Sequence, residues 1–596
     1  MDECDLIMKG GVTSGVAYPG AVARLAKRFR FRNIGGTSAG AIAAVLAGAA
    51  EYRRQRSEGA SDRAGFDALE ALSPELGSDL EALFQPEPAL QPLYEVLLAV
   101  ATTRSGESRV WAGLIAVIKT FALLLILTAL PGVLIAATAL SRGSWSLGLL
   151  GVLLALLIPA IILAMRIGRL VGKNLVSNDF GLCTGLTTRR GRREGQRAFT
   201  DWVHEHIESV AGPRDPARTH DAPLTVGDLA QCDINVASVT TDLSSRRPWR
   251  LPLQAGAHAF SVAEVRRLLP AAVLDHLIDK GRQIDHADGA LPDDLRTLPD
   301  GCDMPLVLLA RLSLSFPGLV SAVPLYRQDH GLPADAEGRY PWRRCLFSDG
   351  GISSNFPIHF FDALLPSRPT FGIAFARLDA ARHGSDEASR VDLPVEPPST
   401  LDAPVYPASG ITGFLASIVT TAKDWQDTLQ SQVTGYAERI VEIRLDPDKE
   451  GGLHVNMDEA TITKLSGLGV RAAAKLDNTF DFDEHRYRRA LTLLPTLDAA
   501  LERLSENYRK RGIASSGLDY DDILTTYGPK FFDNEPAWRE DPLARLALAL
   551  VSIGDASRER DEDENAKSFA DGNTPDTDTE LRLVASTDSG SQTRQA

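Results

Sequence analysis

What this chain has little of narrows its chemistry first. Five cysteines (Cys4, Cys183, Cys232, Cys302 and Cys345) are scattered over 596 residues without a C-x-x-C pair. That excludes a disulfide framework and a thiolate zinc site, and reads as reduced thiols in a cytosolic setting. Eleven histidines form no H-E-x-x-H, and His204 and His206, two apart on a helical pattern, cannot share one face as metal ligands. No metal and no cofactor are expected. Basic residues are outnumbered, 63 Lys and Arg against 78 Asp and Glu, for a net charge of −15. Phosphate neutralisation needs a basic face, so nucleic acid is not an expected partner. The start, "MDECDLIMKGG", lacks a basic segment leading into an apolar one, and no secretory signal is expected. There is no internal repeat and no G-K-[ST] of a P-loop.

Charge is also missing from two internal stretches. Thr120 to Ser141 carries none, and after Arg142 neither does Gly143 to Met165. Each is long enough to cross the hydrocarbon core, and the short polar break "SRGSW" predicts a helical hairpin. Pro131 and Pro159 lie inside the spans, where membrane helices tolerate them. Arg104, Arg109 and Lys119 precede the hairpin, and Arg166, Arg169, Lys173, Arg189, Arg190, Arg192 and Arg193 follow it. The positive-inside rule then puts both ends, and with them the soluble mass, on the cytoplasmic side of a two-span protein. The competing reading is a hairpin buried in a soluble core.

Around the hairpin the pattern is α/β. "CDLIM", "FRNIG", "INVASVTTDL", "RRCLFSDGG", "TFGIAFARL" and "RIVEIRL" read as strands. "VAYPGAVARLAKRF", "AGAIAAVLAGAAEYRRQ", "AFTDWVHEHIESV" and "MPLVLLARLSLSF" read as helices. From Asp458 to about Val551 the pattern is helical, and beyond Ala556 the chain is rich in Asp, Glu, Ser and Thr, which predicts disorder.

The candidate chemistry centres on Gly36-Thr37-Ser38-Ala39-Gly40, a G-x-S-x-G between a short apolar strand and an alanine-rich helix. A sharp turn there would hold the Ser38 hydroxyl at the helix N-terminus as a nucleophile. The first glycine turn, Gly10-Gly11-Val12-Thr13-Ser14-Gly15, also follows a strand and opens a helix. Its N–H groups would suit an oxyanion; a nucleotide phosphate loop is the runner-up, although Val12 breaks G-x-G-x-x-G. Asp349, at the end of an apolar strand and before Gly350 and Gly351, is a candidate base for Ser38. A histidine base in a Ser-His-Asp triad is the alternative, with His359 the one nearest a motif.

In order, a glycine-rich turn, G-x-S-x-G and a distant Asp-Gly-Gly resemble the patatin-like phospholipases. Gly20, "LSLSFPG" (Leu312 to Gly318) and "SDGGISSNFP", with Asn355 and Pro357, extend the likeness. It covers roughly Asp5 to Ala50 and Leu224 to Leu378. The resemblance implies a three-layer α/β sandwich with a mostly parallel central sheet, here interrupted by the hairpin and followed by a helical C-terminal region. It implies a Ser38–Asp349 dyad, an oxyanion hole from Gly10, Gly11 and Val12, and Gly15, Gly36, Gly40, Gly350 and Gly351 as supports of the motifs. It also implies an acyl-enzyme route on a membrane phospholipid or another acyl ester. Two positions depart from the family pattern: Val12 replaces a third glycine and Ser14 a basic residue. The expected division is 1–110 and 171–448 for the two halves of the catalytic domain, 111–170 for the hairpin, 449–555 for the helical region and 556–596 for the acidic tail. A silent membrane-anchored scaffold or binding protein on the same fold, or a non-lipid esterase or thioesterase, is the competing function; a channel finds little support in spans without a charged residue.

Overall fold

The computed structural model describes residues 1–561 apart from 12, 58–61, 104–107, 188–195, 214–221, 286–288, 290, 337, 380–382, 385, 395–404, 406–409, 432, 453, 511–519, 521–522 and 524–540, together with 567 and 569. The expected oxyanion donor Val12 and nearly all of the expected disordered tail lie outside the described residues. Of that tail, the part up to Asp561 is helical, as the end of a helix over Asp541–Asp561.

Among the described residues, thirteen strands form two sheets: β1 (Asp2–Met8), β2 (Phe29–Gly36), β3 (Gly181–Cys183), β4 (Asn235–Asp242), β5 (Arg247–Leu251), β6 (His258–Ser261), β7 (Leu295–Thr297), β8 (Gly318–Val320), β9 (Val323–Gln328), β10 (Trp342–Asp349), β11 (Thr370–Arg377), β12 (Val391–Asp392) and β13 (Ile440–Leu445). The main sheet runs β12-β13-β11-β1-β2-β4-β10-β9-β6-β7, with β5 also on β4, and β3 pairs with β8 apart from it. The strands β13, β11, β1, β2 and β4 are parallel neighbours. The pairs β4–β10, β10–β9, β9–β6, β6–β7, β4–β5 and β12–β13 are antiparallel. The sheet is therefore mixed, which corrects the expectation of a mostly parallel one. Parallel pairing requires a long crossover, supplied by the helices after β1 and β2 and by the long stretch between β11 and β13. Beyond β4 several connections, such as the four residues between β4 and β5, are too short for one.

Helices gather on one face of the sheet. There Cys4, Leu6, Met8, Phe31 and Ile34 join Ala44, Leu46, Ala47, Leu465 and Leu468 in one buried cluster. The helix Glu459–Thr479 belongs to this core, so the first part of the C-terminal region packs against the sheet. The other face of β1, β11 and β13 presents Ile7, Ala374 and Ile440, covered by Phe356 and Ile358.

The hairpin consists of helices Ala122–Ser141 and Trp145–Arg169. Both pass the length and apolarity expected of a membrane crossing, with 17% of each apolar window buried. Leu123, Leu134, Leu149 and Leu156 are all more than 60% exposed, so a soluble core does not bury this pair. The two helices touch through small residues: a Cβ on Gly132 would stand 2.3 Å from the Ala155 nitrogen, and one on Gly151 would stand 2.4 Å from the Ala136 nitrogen. Close backbone approach of this kind suits helix pairs surrounded by lipid.

The elbow helix, Ala39–Arg56, is fixed to β2 by a buried ion pair. The Arg54 guanidinium pairs with Glu51 and donates to the carbonyls of Ala26 (2.8 Å) and Phe29 (2.9 Å), while Glu51 accepts from the Phe31 N–H (3.3 Å). Both side chains are at most 1% exposed. Removing one partner strands the other charge, so Glu51→Ala is expected to destabilise the fold by about 3–5 kcal/mol. In denaturant unfolding, the double variant Glu51→Ala/Arg54→Ala should lose less than the sum of the two single changes.

Candidate active site

Strand β2 carries the chain into the sheet centre and stops at Gly36, between β1 and β4. Ser38 follows at φ 57°, ψ −124°, a backbone conformation few non-glycine residues adopt, and the elbow helix starts at the next residue. This is the strand–turn–helix geometry of a nucleophile elbow. The glycines of the motif make it sterically feasible. A Cβ on Gly40 would stand 2.2 Å from the Met8 carbonyl oxygen, and one on Gly36 would stand 2.4 Å from the Gly40 carbonyl oxygen. The helix begins at Ala39, so the positive end of its dipole lies at the serine, although the Gly40 and Ala41 N–H groups are already taken by the Thr37 (2.8 Å) and Ser38 (2.9 Å) carbonyls.

Asp349 ends β10, three residues along the antiparallel ladder with β4 and opposite Thr240. Its Oδ1 accepts from the Gly351 N–H at 2.7 Å. Ser38 and Asp349 are both buried, at 3% and 4% exposure. Burial pushes the Asp349 carboxyl up to about 6, while the Ser38 hydroxyl, the Gly351 N–H and the Lys423 ammonium act in the opposite direction. The serine is thus close enough to favour the carboxylate. Oδ2 nonetheless has no partner of full hydrogen-bond geometry among the described residues.

The glycine turn after β1 abuts the same place. A Cβ on Gly10 would stand 3.2 Å from the Thr37 carbonyl oxygen, and Gly15 lies against Ala39. The Gly10 N–H, however, donates to the Asn355 carbonyl at 2.8 Å. Gly10 therefore cannot serve as an oxyanion donor in this arrangement, which corrects the expectation for that residue. Gly11 has no acceptor for its N–H among the described residues. Gly350 sits against the Val239 carbonyl and Thr37, and Gly351 against Asn355. His359 lies beside Phe360 in a ring contact.

Several residues that hold this site were not singled out in the sequence. The Ser313 hydroxyl, at the end of the helix Leu306–Ser313, accepts from the Ser38 N–H at 3.0 Å. Two residues on, the Ser315 carbonyl accepts from the Asp349 N–H (3.1 Å) and the Ser348 hydroxyl (2.9 Å). Arg311, fully buried, fixes that turn by donating to the Ser315 hydroxyl (2.6 Å) and to the carbonyls of Thr184 (3.1 Å) and Ser321 (2.8 Å). Burial without a carboxylate partner lowers the arginine's proton affinity to about 10, still charged at neutral pH. Asp427, from the helix Gly410–Ser431, accepts from the N–H groups of Asn355 (2.6 Å) and Phe356 (2.8 Å). The sequence signal for Ser313 and Ser315 was the segment "LSLSFPG"; an isolated aspartate gives none for Asp427. If Ser313 holds the strained elbow, Ser313→Ala leaves a buried N–H unpaired and should cost about 1–3 kcal/mol of stability. Ser313→Thr, which keeps the hydroxyl, should restore most of it in a thermal melt.

Residues 6–362 match the family model described as "Patatin-like phospholipase". A protein of Rhizobium meliloti (strain 1021), "RpoH suppressor", is 32% identical over 598 residues, spanning 90% of this chain and 89% of that protein. The solved structure "Crystal structure of VipD from Legionella pneumophila" aligns over 94% of this chain and 86% of its own at 13% identity, with a TM-score of 0.24, a likeness too slight to bear on the site. The elbow serine, the buried aspartate and the glycine turn occupy the matched segment, and the chain belongs to the patatin-like phospholipase family.

Proposed function

We propose that this protein is a lipid acyl hydrolase working through a Ser38–Asp349 dyad. The observation that carries the reading is a serine in a strained elbow beside a buried carboxyl whose proton affinity sits near neutrality. Asp349 as carboxylate takes the hydroxyl proton as Ser38 Oγ attacks the ester carbonyl carbon. The oxyanion so formed is met by the Gly11 N–H and the start of the elbow helix. Collapse breaks the acyl–oxygen bond, and Asp349 returns the proton to the departing alcohol, leaving the acyl group on Ser38. A water molecule then repeats the sequence, with Asp349 again as base, and releases the fatty acid. A proton affinity near 6 suits both halves, because the group must accept and return a proton near neutral pH.

The hairpin supports a bilayer as the working surface. Its exposed apolar helices would insert, and Arg166, Arg169 and Lys173 at its end would stay on the cytoplasmic side, with the sheet beside them. In this reading 1–110 and 171–448 form the hydrolase, 111–170 the anchor, and 449–555 a helical region fastened to it.

Release of fatty acid from mixed phospholipid vesicles tests the dyad. Ser38→Ala and Asp349→Asn should each reduce it by roughly a thousandfold; unchanged release in both would mean a scaffold. Activity should rise with pH through about 6 and then level off, since only the ionised Asp349 is a base. Stability runs the other way. A carboxyl raised by folding contributes stability below its unfolded value of 3.8 and loses it as pH rises through about 6. Asp349→Asn removes that cost, so it should melt higher than the parent at pH 8 and lose the advantage below pH 4.

A further inference from the structure

The loop after Asp349 is held by a helix with no described side chain in the hydrophobic core. The helix Gly410–Ser431 runs for 22 residues, yet among the described residues none of its side chains belongs to a buried hydrophobic cluster. What fastens it is Asp427, 8% exposed, whose carboxylate accepts from the N–H groups of Asn355 and Phe356 and from the Ser354 hydroxyl at 3.2 Å. Those three residues follow Asp349 in the chain, and Asn355 also holds Gly10. Lys423, one turn earlier on the same face, acts electrostatically on Asp349. Asp427 and Lys423 thus tie this side of the helix to the active-site loop.

Its outer side is the reverse. Phe414, Ile418, Trp425 and Leu429 are 57%, 51%, 51% and 59% exposed. At 100° per residue they fall within an arc of about 60°, on the side of the helix away from Lys423 and Asp427, and span about 22 Å of its length. Large apolar side chains aligned on one exposed face mark a surface made to be covered. Ser38 and Asp349, at 3% and 4% exposure, cannot meet a lipid ester until something over them moves.

We propose that the helix Gly410–Ser431 is a lid whose Phe414–Ile418–Trp425–Leu429 face docks onto the lipid surface, releasing the Asp427 latch and opening the way to Ser38. This rests on the hydrolase reading above for its purpose, and on the geometry of the helix for its form. The lipid surface is the occupant favoured because the stripe carries no charge to recognise a particular protein face. The same chain also presents an apolar hairpin to a bilayer and a site for a lipid ester. Burial holds Asp427 above the usual carboxylate range, which weakens the latch as a charged acceptor and suits a contact that must break. Each outer side chain adds interfacial affinity in proportion to the apolar area it buries.

The test uses the full chain reconstituted in phosphatidylcholine vesicles, with two independent readouts. Docking is read without turnover, on the Ser38→Ala background: brominated acyl chains should quench the emission that Trp425 contributes, taken as the difference from the same chain with Trp425→Phe. Opening is read with two substrates, vesicle phospholipid and a soluble short-chain ester. The double variant Ile418→Ser/Trp425→Ser should lose about tenfold or more on vesicle lipid, from the area no longer buried, and keep its rate on the soluble ester. Asp427→Ala should raise the soluble-ester rate several-fold. Unquenched Trp425 emission overturns the lid's docking, whether or not the enzyme turns over. So does a double variant that matches the parent on vesicles, or one that falls equally on both substrates. Quenching without hydrolysis of either substrate would leave the docking standing and sink the hydrolase reading instead.

Discussion

The structure depends on a short strap after Leu312 that holds two chain segments far apart in sequence in one frame. Ser313 takes the N–H of Ser38, and Ser315 takes the N–H of Asp349. The hydroxyl of Thr240 closes the strap from the sheet side, its one proton shared between the Leu312 carbonyl at 3.1 Å and the Ser348 carbonyl at 2.9 Å. Neither the elbow nor the end of β10 could alone fix the distance between the serine and the aspartate. The elbow belongs to a parallel βα unit and the aspartate to an antiparallel hairpin layer, and only β4 is common to both. Buried Arg311 holds the strap rigid through hydrogen bonds to backbone and hydroxyl oxygens. Burying a charge without an anion is costly, and such a cost is tolerated where several good acceptors converge.

The mixed sheet follows from the same need. Strands β1, β2, β4 and β11 run parallel, so their C-terminal ends and the following turns meet at one edge, where the glycine turn, the elbow and Asn355 assemble. Strand β10 arrives from the opposite direction and ends at Asp349, so this carboxyl meets the sheet beside Ser38 through an antiparallel pairing with β4. Dry surroundings then set its proton affinity. An exposed carboxylate beside a serine would be too weak a base; a fully buried one without donors would stay protonated. The Gly351 N–H and the Ser38 hydroxyl keep it between those limits.

Much of the site was legible in the sequence because its constraints are local. Gly36 and Gly40 are glycines since a Cβ would collide with neighbouring carbonyls, and such positions show as a motif. The strand before Asp349 shows as an apolar run. The pattern of apolar stretches also gave the hairpin, whose turn lies at residues 142–144 between the two helices. What stayed hidden was set by pairings distant in sequence. Gly10 looked like an oxyanion donor until Asn355, 345 residues later, proved to occupy its N–H. The direction of β10 depends on which strand it meets, and strand direction leaves no trace in composition. Nothing in the sequence sets Asp427 apart from the other acids, and only the fold brings it to the loop after Asp349.

The measurement that tests the central claim most directly is to quench the protein in acid during turnover of an ester and map any acyl adduct by mass spectrometry. The account predicts a hydroxylamine-sensitive adduct on Ser38 that fades at low pH, where protonated Asp349 can no longer activate the serine. Turnover with no adduct on Ser38, or with the acyl group on another residue, would contradict it.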